Sequence, residues 1–423
     1  MHLSQPKKRI AMLSVHTCPM AALGGKETGG MNVYVRELSR ELGAQGLSVD
    51  IYTRSQDATR ERVRELWPNV RVIHVPAGPE RPYSKNIVYE HLPEFLSGLR
   101  HFAGTERISY DLVHSHYWLS GWVGRELARE EGMPSVHMFH TLGRMKDAVA
   151  RTRAEKETNR RIEVEQELML DMDRLVAATA LDKAQMVELY GADPDKIEVI
   201  PLGVDLEMFR PISRAEAKAA IGLELPEQQR ILLFVGRMDP LKGLDTLLRA
   251  ICKLSDLAPE LARSLCLAVI GGDIDENGSG VDTDLECLDK LKREVGVDNL
   301  VAFLGSRAQD TLPYYYSAAE VCIVPSHYES FGLVALEAMA CGTPVIASRV
   351  GGLQSTVEDG VTGLLVPAGD PDALAEKLKL VLSDDDLRMR LGSNARSRAQ
   401  TYTWRSMADR IIHLYEGLWQ SNT

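Results

Sequence analysis

Two glutamates, Glu329 and Glu337, stand eight positions apart in His327-Tyr328-Glu329-Ser330-Phe331-Gly332-Leu333-Val334-Ala335-Leu336-Glu337, ahead of the small-residue run Ala338-Met339-Ala340-Cys341-Gly342-Thr343-Pro344. Eight residues is about two helical turns, so an unbroken helix would place both carboxylates on one face. Ser330-Phe331-Gly332 instead predicts a chain that turns just after Glu329 and then opens a helix, with Glu337 one to two turns along. Free N–H groups at such a start favour an anion, and the carboxylates can accept bonds from neutral hydroxyls. A sugar nucleotide combines both features.

The same half of the chain carries a second device. An apolar run, Ile231–Val235, leads into Gly236-Arg237-Met238-Asp239-Pro240-Leu241-Lys242-Gly243, where Arg237 and Lys242 leave the strand five residues apart. Both cations could converge on one diphosphate, Arg in fork geometry and Lys as a point charge. In the first half, Ser14-Val15-His16-Thr17 is followed by Gly24-Gly25, Gly29-Gly30 and Asn32, glycine pairs that let a backbone approach a phosphate or a sugar. This is not the spaced dinucleotide fingerprint, and Ile51-Tyr52-Thr53-Arg54 ends without an acidic residue, which argues against a nicotinamide enzyme.

Histidines cluster in His114-Ser115-His116-Tyr117-Trp118 and His137-Met138-Phe139-His140-Thr141. Their spacing does not define a tetrahedral metal site, and most of them read as hydrogen-bonded scaffolding at strand ends. His140, which ends its strand in the cleft position, is the one singled out. Taken alone, Lys85 and Arg161 read as ordinary surface charges.

These residues must be positioned by a larger architecture. Short apolar runs (Arg9–Val15, Ser48–Thr53, Val70–Val75, Leu112–His114, Ser135–Met138, Leu175–Ala178, Ile197–Ile200) alternate with helical patterns. The alternation restarts with Ile231–Val235, Leu265–Ile270, Leu300–Leu304, Val321–Val324, Val345–Ala347 and Leu364–Val366. This is an α/β protein of two facing, doubly wound Rossmann-like domains with a cleft between them. The proline-bracketed stretch Pro201–Pro211 places the connection, giving domains 1–205 and 206–400. The tail 401–423 has helical spacing and is expected to pack back across the hinge.

A length of 423 residues suits two domains. A net charge of −11 argues against nucleic acid or an anionic membrane as a partner. The six cysteines have no zinc or secretory spacing and read as buried reduced thiols. No signal peptide or membrane span is visible, which predicts a cytoplasmic protein. Asn277-Gly278-Ser279 is read as a plain loop, and nothing in the sequence sets an oligomeric state.

Taken together, the chain resembles the family-4 GT-B retaining glycosyltransferases over nearly its whole length. The resemblance rests on Gly29-Gly30, His140, Gly236-Arg237 with Lys242-Gly243, the Glu329/Glu337 pair followed by Gly342-Thr343-Pro344-Val345, Val350-Gly351-Gly352, and Asp359-Gly360-Val361-Thr362-Gly363. Within that family the first half is similar to the enzymes acting on inositol 3-phosphate, and nearly as much to the bacterial sucrose-phosphate synthases. It departs from the former at Phe139, where they usually carry Ala, and at Gly143-Arg144, where they usually carry Ala-Ala.

The resemblance implies transfer of a glycosyl group, with retention, from a nucleotide-diphosphate sugar (UDP-glucose or UDP-N-acetylglucosamine) to a small phosphorylated acceptor such as inositol 3-phosphate. Fructose 6-phosphate is the alternative acceptor; a sugar-nucleotide epimerase and a non-catalytic sugar-nucleotide binder are alternatives of other classes. On the donor side it implies Gly29, Gly30, Arg237, Lys242, Glu329, Ser330, Phe331, Gly332, Leu333 and Glu337, with Glu337 on the ribose hydroxyls and Glu329 on the sugar. His140, Arg237, Lys242 and Glu329 would serve the reaction. The acceptor would meet His16, Asn32, Lys85, Tyr117, Thr141 and Arg161, the last four holding its phosphate. No cofactor is implied, and a divalent metal is possible but not expected.

Overall fold

The computed structural model describes residues 8–22, 28–222, 229–272 and 283–421. The Gly24-Gly25 pair and the Asn277 triplet lie outside them. Two compact units are present, one of Met1–Ala21, Gly30–Pro201 and Trp404–Thr423, the other of Ala22–Gly29 and Leu202–Thr403.

The first unit is built on eight strands: β1 (Arg9–Leu13), β2 (Ser48–Arg54), β3 (Val63–Trp67), β4 (Val70–Val75), β5 (Leu112–His116), β6 (Ser135–Met138), β7 (Arg174–Ala177) and β8 (Ile197–Val199). Their order is β3-β4-β2-β1-β5-β6-β7-β8. Ile10 to Leu13 are wholly buried, as a strand covered on both faces requires. The strand missing from the expected set is β3, antiparallel to β4 at the sheet edge and half exposed through Arg64 and Glu65. Its charged sequence lacks the apolar run that marks a central strand.

Strand order reverses beside β1, between β2 on one side and β5 on the other. Open α/β sheets bind ligands at the carboxyl ends of strands beside such a switch. The segments leaving β1, β5 and β6 there carry His16, Tyr117 and His140–Thr141. The last helix, Trp404–Ser421, belongs to this unit; it buries Trp404, Met407, Ile411, Tyr415 and Leu418 at helical spacing.

The second unit holds six parallel strands: β9 (Arg230–Val235), β10 (Leu265–Ile270), β11 (Val301–Gly305), β12 (Ala319–Val324), β13 (Val345–Ser348) and β14 (Gly363–Val366), ordered β11-β10-β9-β12-β13-β14. Here the order reverses between β9 and β12. The loops leaving these two strands carry Arg237 and Lys242, and then Glu329. After Pro201, which ends the first unit's share, the connecting stretch from Leu202 to Pro211 groups with this unit: Val204 bridges Thr403, and Phe209 is buried against the Tyr316 ring.

Not every cysteine is buried. All six are free, but Cys287 is exposed on the helix Thr283–Glu294 and Cys252 is half-buried. Among the described residues, no helix is long and apolar enough to cross a membrane.

Candidate functional site

Glycines let the loops of the second unit close on one another. At Gly243 φ is +68°, and a Cβ there would lie 2.1 Å from the Pro325 carbonyl oxygen; His327 N–H donates to the Leu241 carbonyl at 2.8 Å. The loops after β9 and β12 are thereby locked together. Gly351, at φ +43°, leaves room for the Glu329 carbonyl, which accepts from Gly352 N–H at 2.9 Å. The Val350-Gly351-Gly352 motif therefore shapes the backbone of Glu329 and Ser330 through main-chain contact.

On this frame Lys242 Nζ lies 2.6 Å from Glu329 Oε2. Arg237 sits 3.4 Å from Asp239 Oδ2, and Asp239 also accepts from Leu241 N–H. Each cation of the expected diphosphate pair thus has a carboxylate neighbour within the unit. The chain turns after Glu329 and opens the helix Leu333–Ala340 after Gly332, at φ +93°. It buries Glu337, whose Oε2 accepts from the Tyr316 hydroxyl at 2.8 Å and whose Oε1 accepts from Gln309 at 3.4 Å. Burial, with this carboxylate beside it, pushes the Tyr316 phenol well above its usual range.

The first unit gathers a charged cluster. Arg161 is only 1% exposed, not a surface cation. Its Nε donates to Glu165 Oε1 at 2.7 Å, Nη1 to the Tyr117 hydroxyl at 3.1 Å, and Nη2 to the Thr141 carbonyl and hydroxyl at 2.8 and 3.1 Å. Lys85 Nζ lies 5.9 Å from the Tyr117 ring centre, and the His16 ring is 4.6 Å from that ring. The four residues expected to hold an acceptor phosphate are therefore neighbours, although they come from four separate segments.

Glu157, Glu165, Lys146 and Tyr190 complete this cluster and were missed in the sequence. Glu157 Oε1 lies 3.4 Å from Lys85, 2.5 Å from Lys146 and 2.9 Å from Arg161. Burial opposes its charge, but Arg161, Lys85 and Lys146 overcome that and hold the carboxyl down at about 2. Glu165, fully buried, accepts from Gly143 N–H and the Tyr190 hydroxyl. For Glu165 a signal was present in the sequence: it stands four residues after Arg161 in one helix, the spacing of an ion pair, whereas Glu157, four residues before, precedes that helix.

Tyr117 and His140 both adopt left-handed backbone, at φ +73° and +59°. An aromatic residue with positive φ stores strain that clusters at functional sites. The His140 ring lies behind this turn, its Nε2 3.1 Å from His116 Nδ1 and its ring 5.1 Å from that of Tyr34. Further back, His114 Nδ1 meets the Tyr415 hydroxyl of the last helix at 2.6 Å, and His137 Nδ1 meets Ser115 at 2.8 Å. Burial drives these imidazoles down, His114 and His140 to about 3 and His116 and His137 well below the usual value. For His16, burial together with Lys85 and Arg161 has the same effect, to about 3. Neutral rings are the chemical form that such packing selects.

Asn32, which the resemblance assigns to the acceptor, is held by hydrogen bonds of its own. It is buried in the helix Gly30–Ala44, and its amide donates to Thr17 Oγ1 at 2.9 Å and the Cys18 carbonyl at 2.8 Å, bracing the loop after β1. Gly30 opens that helix, while Gly29 groups with the second unit. Ser330, Phe331, Gly332 and Leu333 form the turn into the Glu337 helix, with the Phe331 carbonyl accepting from Thr356 at 2.9 Å. Among the described residues, no cluster of three His, Cys, Asp or Glu side chains is placed to hold a metal ion.

Two Rossmann-like units, each with a cationic site at its strand ends, define a GT-B glycosyltransferase. Residues 28–208 match the family model described as Glycosyltransferase Family 4, and residues 217–398 match Glycosyl transferases group 1. The D-inositol 3-phosphate glycosyltransferase of Saccharomonospora viridis is 44% identical over 96% of this chain and 94% of its own. That of Thermomonospora curvata is 43% identical over 98% and 96%. Among solved structures, the sucrose-phosphate synthase of Thermosynechococcus elongatus superimposes with a TM-score of 0.89 at 36% identity, covering 98% of this chain and all of that one. Anabaena HepE with UDP-glucose shares the fold, with a TM-score of 0.75 at 20% identity over 97% and 99%. The chain belongs to this glycosyltransferase family and is a hexosyltransferase.

Proposed function

We propose that the protein transfers a hexosyl group, with retention, from a UDP-sugar to D-inositol 3-phosphate. The observation that carries this reading is the convergence of Lys85, Arg161, Tyr117 and Thr141 in the first unit. Two cations and two hydroxyls form the donor set a phosphomonoester requires, and an epimerase or a plain donor-binding protein has no use for it. The acceptor's identity draws support from the 44% and 43% identical D-inositol 3-phosphate glycosyltransferases.

In this reading the second unit takes the donor. Glu337 receives ribose hydroxyls, and the Glu329–Leu333 turn receives those of the sugar. Arg237 and Lys242 stabilise charge growing on the departing diphosphate, an electrostatic role of the oxyanion-stabilising kind. The bond from the anomeric carbon to the diphosphate oxygen breaks, and the acceptor hydroxyl bonds from the same face. Its proton passes to the leaving phosphate. His140, neutral and held in a strained turn, orients the transferred sugar.

A second reading, with fructose 6-phosphate as acceptor, rests on Gly143. A Cβ there would lie 2.5 Å from Ile162 and 3.1 Å from Glu165 Oε2, so glycine gives the Arg161–Glu165 pair its room. This matches the departure from the inositol-phosphate enzymes at that position, and the 36% identical solved structure is a sucrose-phosphate synthase. A matrix of UDP-glucose, ADP-glucose and UDP-N-acetylglucosamine against inositol 3-phosphate and fructose 6-phosphate decides between them, with products identified by mass spectrometry. Turnover with inositol 3-phosphate and none with fructose 6-phosphate is expected; the reverse result establishes the second reading, and donor hydrolysis alone would overturn both.

A further inference from the structure

Three cations of the first unit meet on one carboxylate oxygen: Glu157 Oε1 has Lys85, Lys146 and Arg161 within 3.4, 2.5 and 2.9 Å. The Glu157 side chain is only 7% exposed, and those of Lys85 and Lys146 are 23% and 19% exposed. Glu165 is committed elsewhere, to Arg161 Nε, Gly143 N–H and the Tyr190 hydroxyl. Glu157 differs from it in position: it precedes the helix Asn159–Asp171, held by its N–H to Asp147 at 2.7 Å rather than by helical bonds. Its carboxylate can leave without unwinding that helix.

From this we infer that Glu157 is an internal counter-anion that the acceptor's phosphate displaces, and that it thereby sets the site's preference for a doubly charged ligand. The inference rests on the phosphorylated-acceptor reading above. Exchanging one carboxylate for a singly charged anion gains no Coulomb energy and still costs desolvation. A phosphomonoester carries about −1.5 to −2 at neutral pH and brings three acceptor oxygens, so it wins the exchange. A neutral polyol lacks the charge to compete. Tyr117 and Thr141, already on Arg161, stand ready to donate to the incoming oxygens.

The test compares wild type, Glu157→Gln and Lys85→Ala in acceptor kinetics and in binding of inorganic phosphate measured by calorimetry. In Glu157→Gln the acceptor KM and the phosphate Kd both fall by about tenfold, a change of ~1.4 kcal/mol. Acetate, inert toward wild type, becomes a competitive inhibitor of the variant, and added phosphate raises the Tm of Glu157→Gln more than that of wild type. The phosphate-induced Tm shift remains readable even in a weakly folded variant. A raised KM or unchanged phosphate affinity in Glu157→Gln overturns the inference, showing Glu157 to be a fixed brace for the cations. If wild type and Lys85→Ala bind phosphate equally, the phosphate-site reading itself fails, which separates the two outcomes.

Discussion

Lys242 and Glu329, which come from the loops after β9 and β12, form a direct ion pair at 2.6 Å, with their side chains 24% and 18% exposed. The expected leaving-group cation and the expected sugar-binding carboxylate therefore act on one another before either acts on a ligand. Removing one leaves the other partly desolvated and mispaired.

Lys242→Ala and Glu329→Gln should each lower kcat/KM by about 10²- to 10³-fold, the scale of losing one transition-state contact. The double variant should lose far less than the product of the two, because they function as a pair. A double-mutant cycle on kcat/KM checks this, and strict additivity would refute the coupling.

Lys85 and Arg161 share the acceptor cluster but differ in burial, so their variants should fail differently. Lys85→Ala should raise the acceptor KM at least about tenfold with the donor KM unchanged. Arg161→Ala strands the buried Glu165 and should cost about 3–5 kcal/mol of stability. Steady-state kinetics and denaturant unfolding separate the two cases; an Arg161→Ala protein as stable as wild type would contradict the burial argument.

The wholly buried His114 and the half-buried His16 and His140 predict acid sensitivity that begins above the range in which carboxylates titrate. His16, His114 and His140 are held at about 3 in the folded chain, by burial first, against about 6.5 when unfolded. Below 6.5 the unfolded chain takes up protons that the folded chain refuses. The stability associated with the neutral rings is therefore complete above about pH 6.5 and is lost progressively as pH falls toward 3. Each ring should contribute a loss on the order of 1 kcal/mol per pH unit in that window. Urea unfolding at pH 7.5 and 5.5 measures it, and equal stability at the two values would show that these rings are protonated in the fold.

Gly351 tests whether the Val350-Gly351-Gly352 motif works through the backbone. Gly351→Ala places a methyl 1.8 Å from the Glu329 carbonyl oxygen at φ +43°, so it should weaken donor binding and lower stability by about 1–3 kcal/mol. Donor KM and Tm together provide the check. An Ala variant with the native donor KM would place the motif outside the site.

Legibility in the sequence followed burial. Central strands such as β10, and β1 from Ile10 to Leu13, stand out because both faces are covered and their residues are apolar without a break; β3 is hidden because an edge strand needs no such run. Arg161 was visible as a residue type but not as a buried one. Glu157 and Glu165, four residues to either side of it, acquire their roles only when Lys85, Lys146 and Tyr190 are placed around them. Asn32 carries contacts the spacing does not show: its amide donates to Thr17 and to the Cys18 carbonyl, bracing the loop after β1.

By itself the sequence determined the alternation of strands and helices in two series, and the donor-side motif built around Glu329 and Glu337. Hydrophobic period and glycine placement are local properties, written residue by residue. Tertiary structure alone decided which charges share a site: Lys85, Tyr117, Thr141 and Arg161 meet only when four segments fold together, and only there does Glu157 come to face three cations. Electrostatic pairing and desolvation depend on distance and burial in space, which spacing along the chain encodes only for neighbours on one helix.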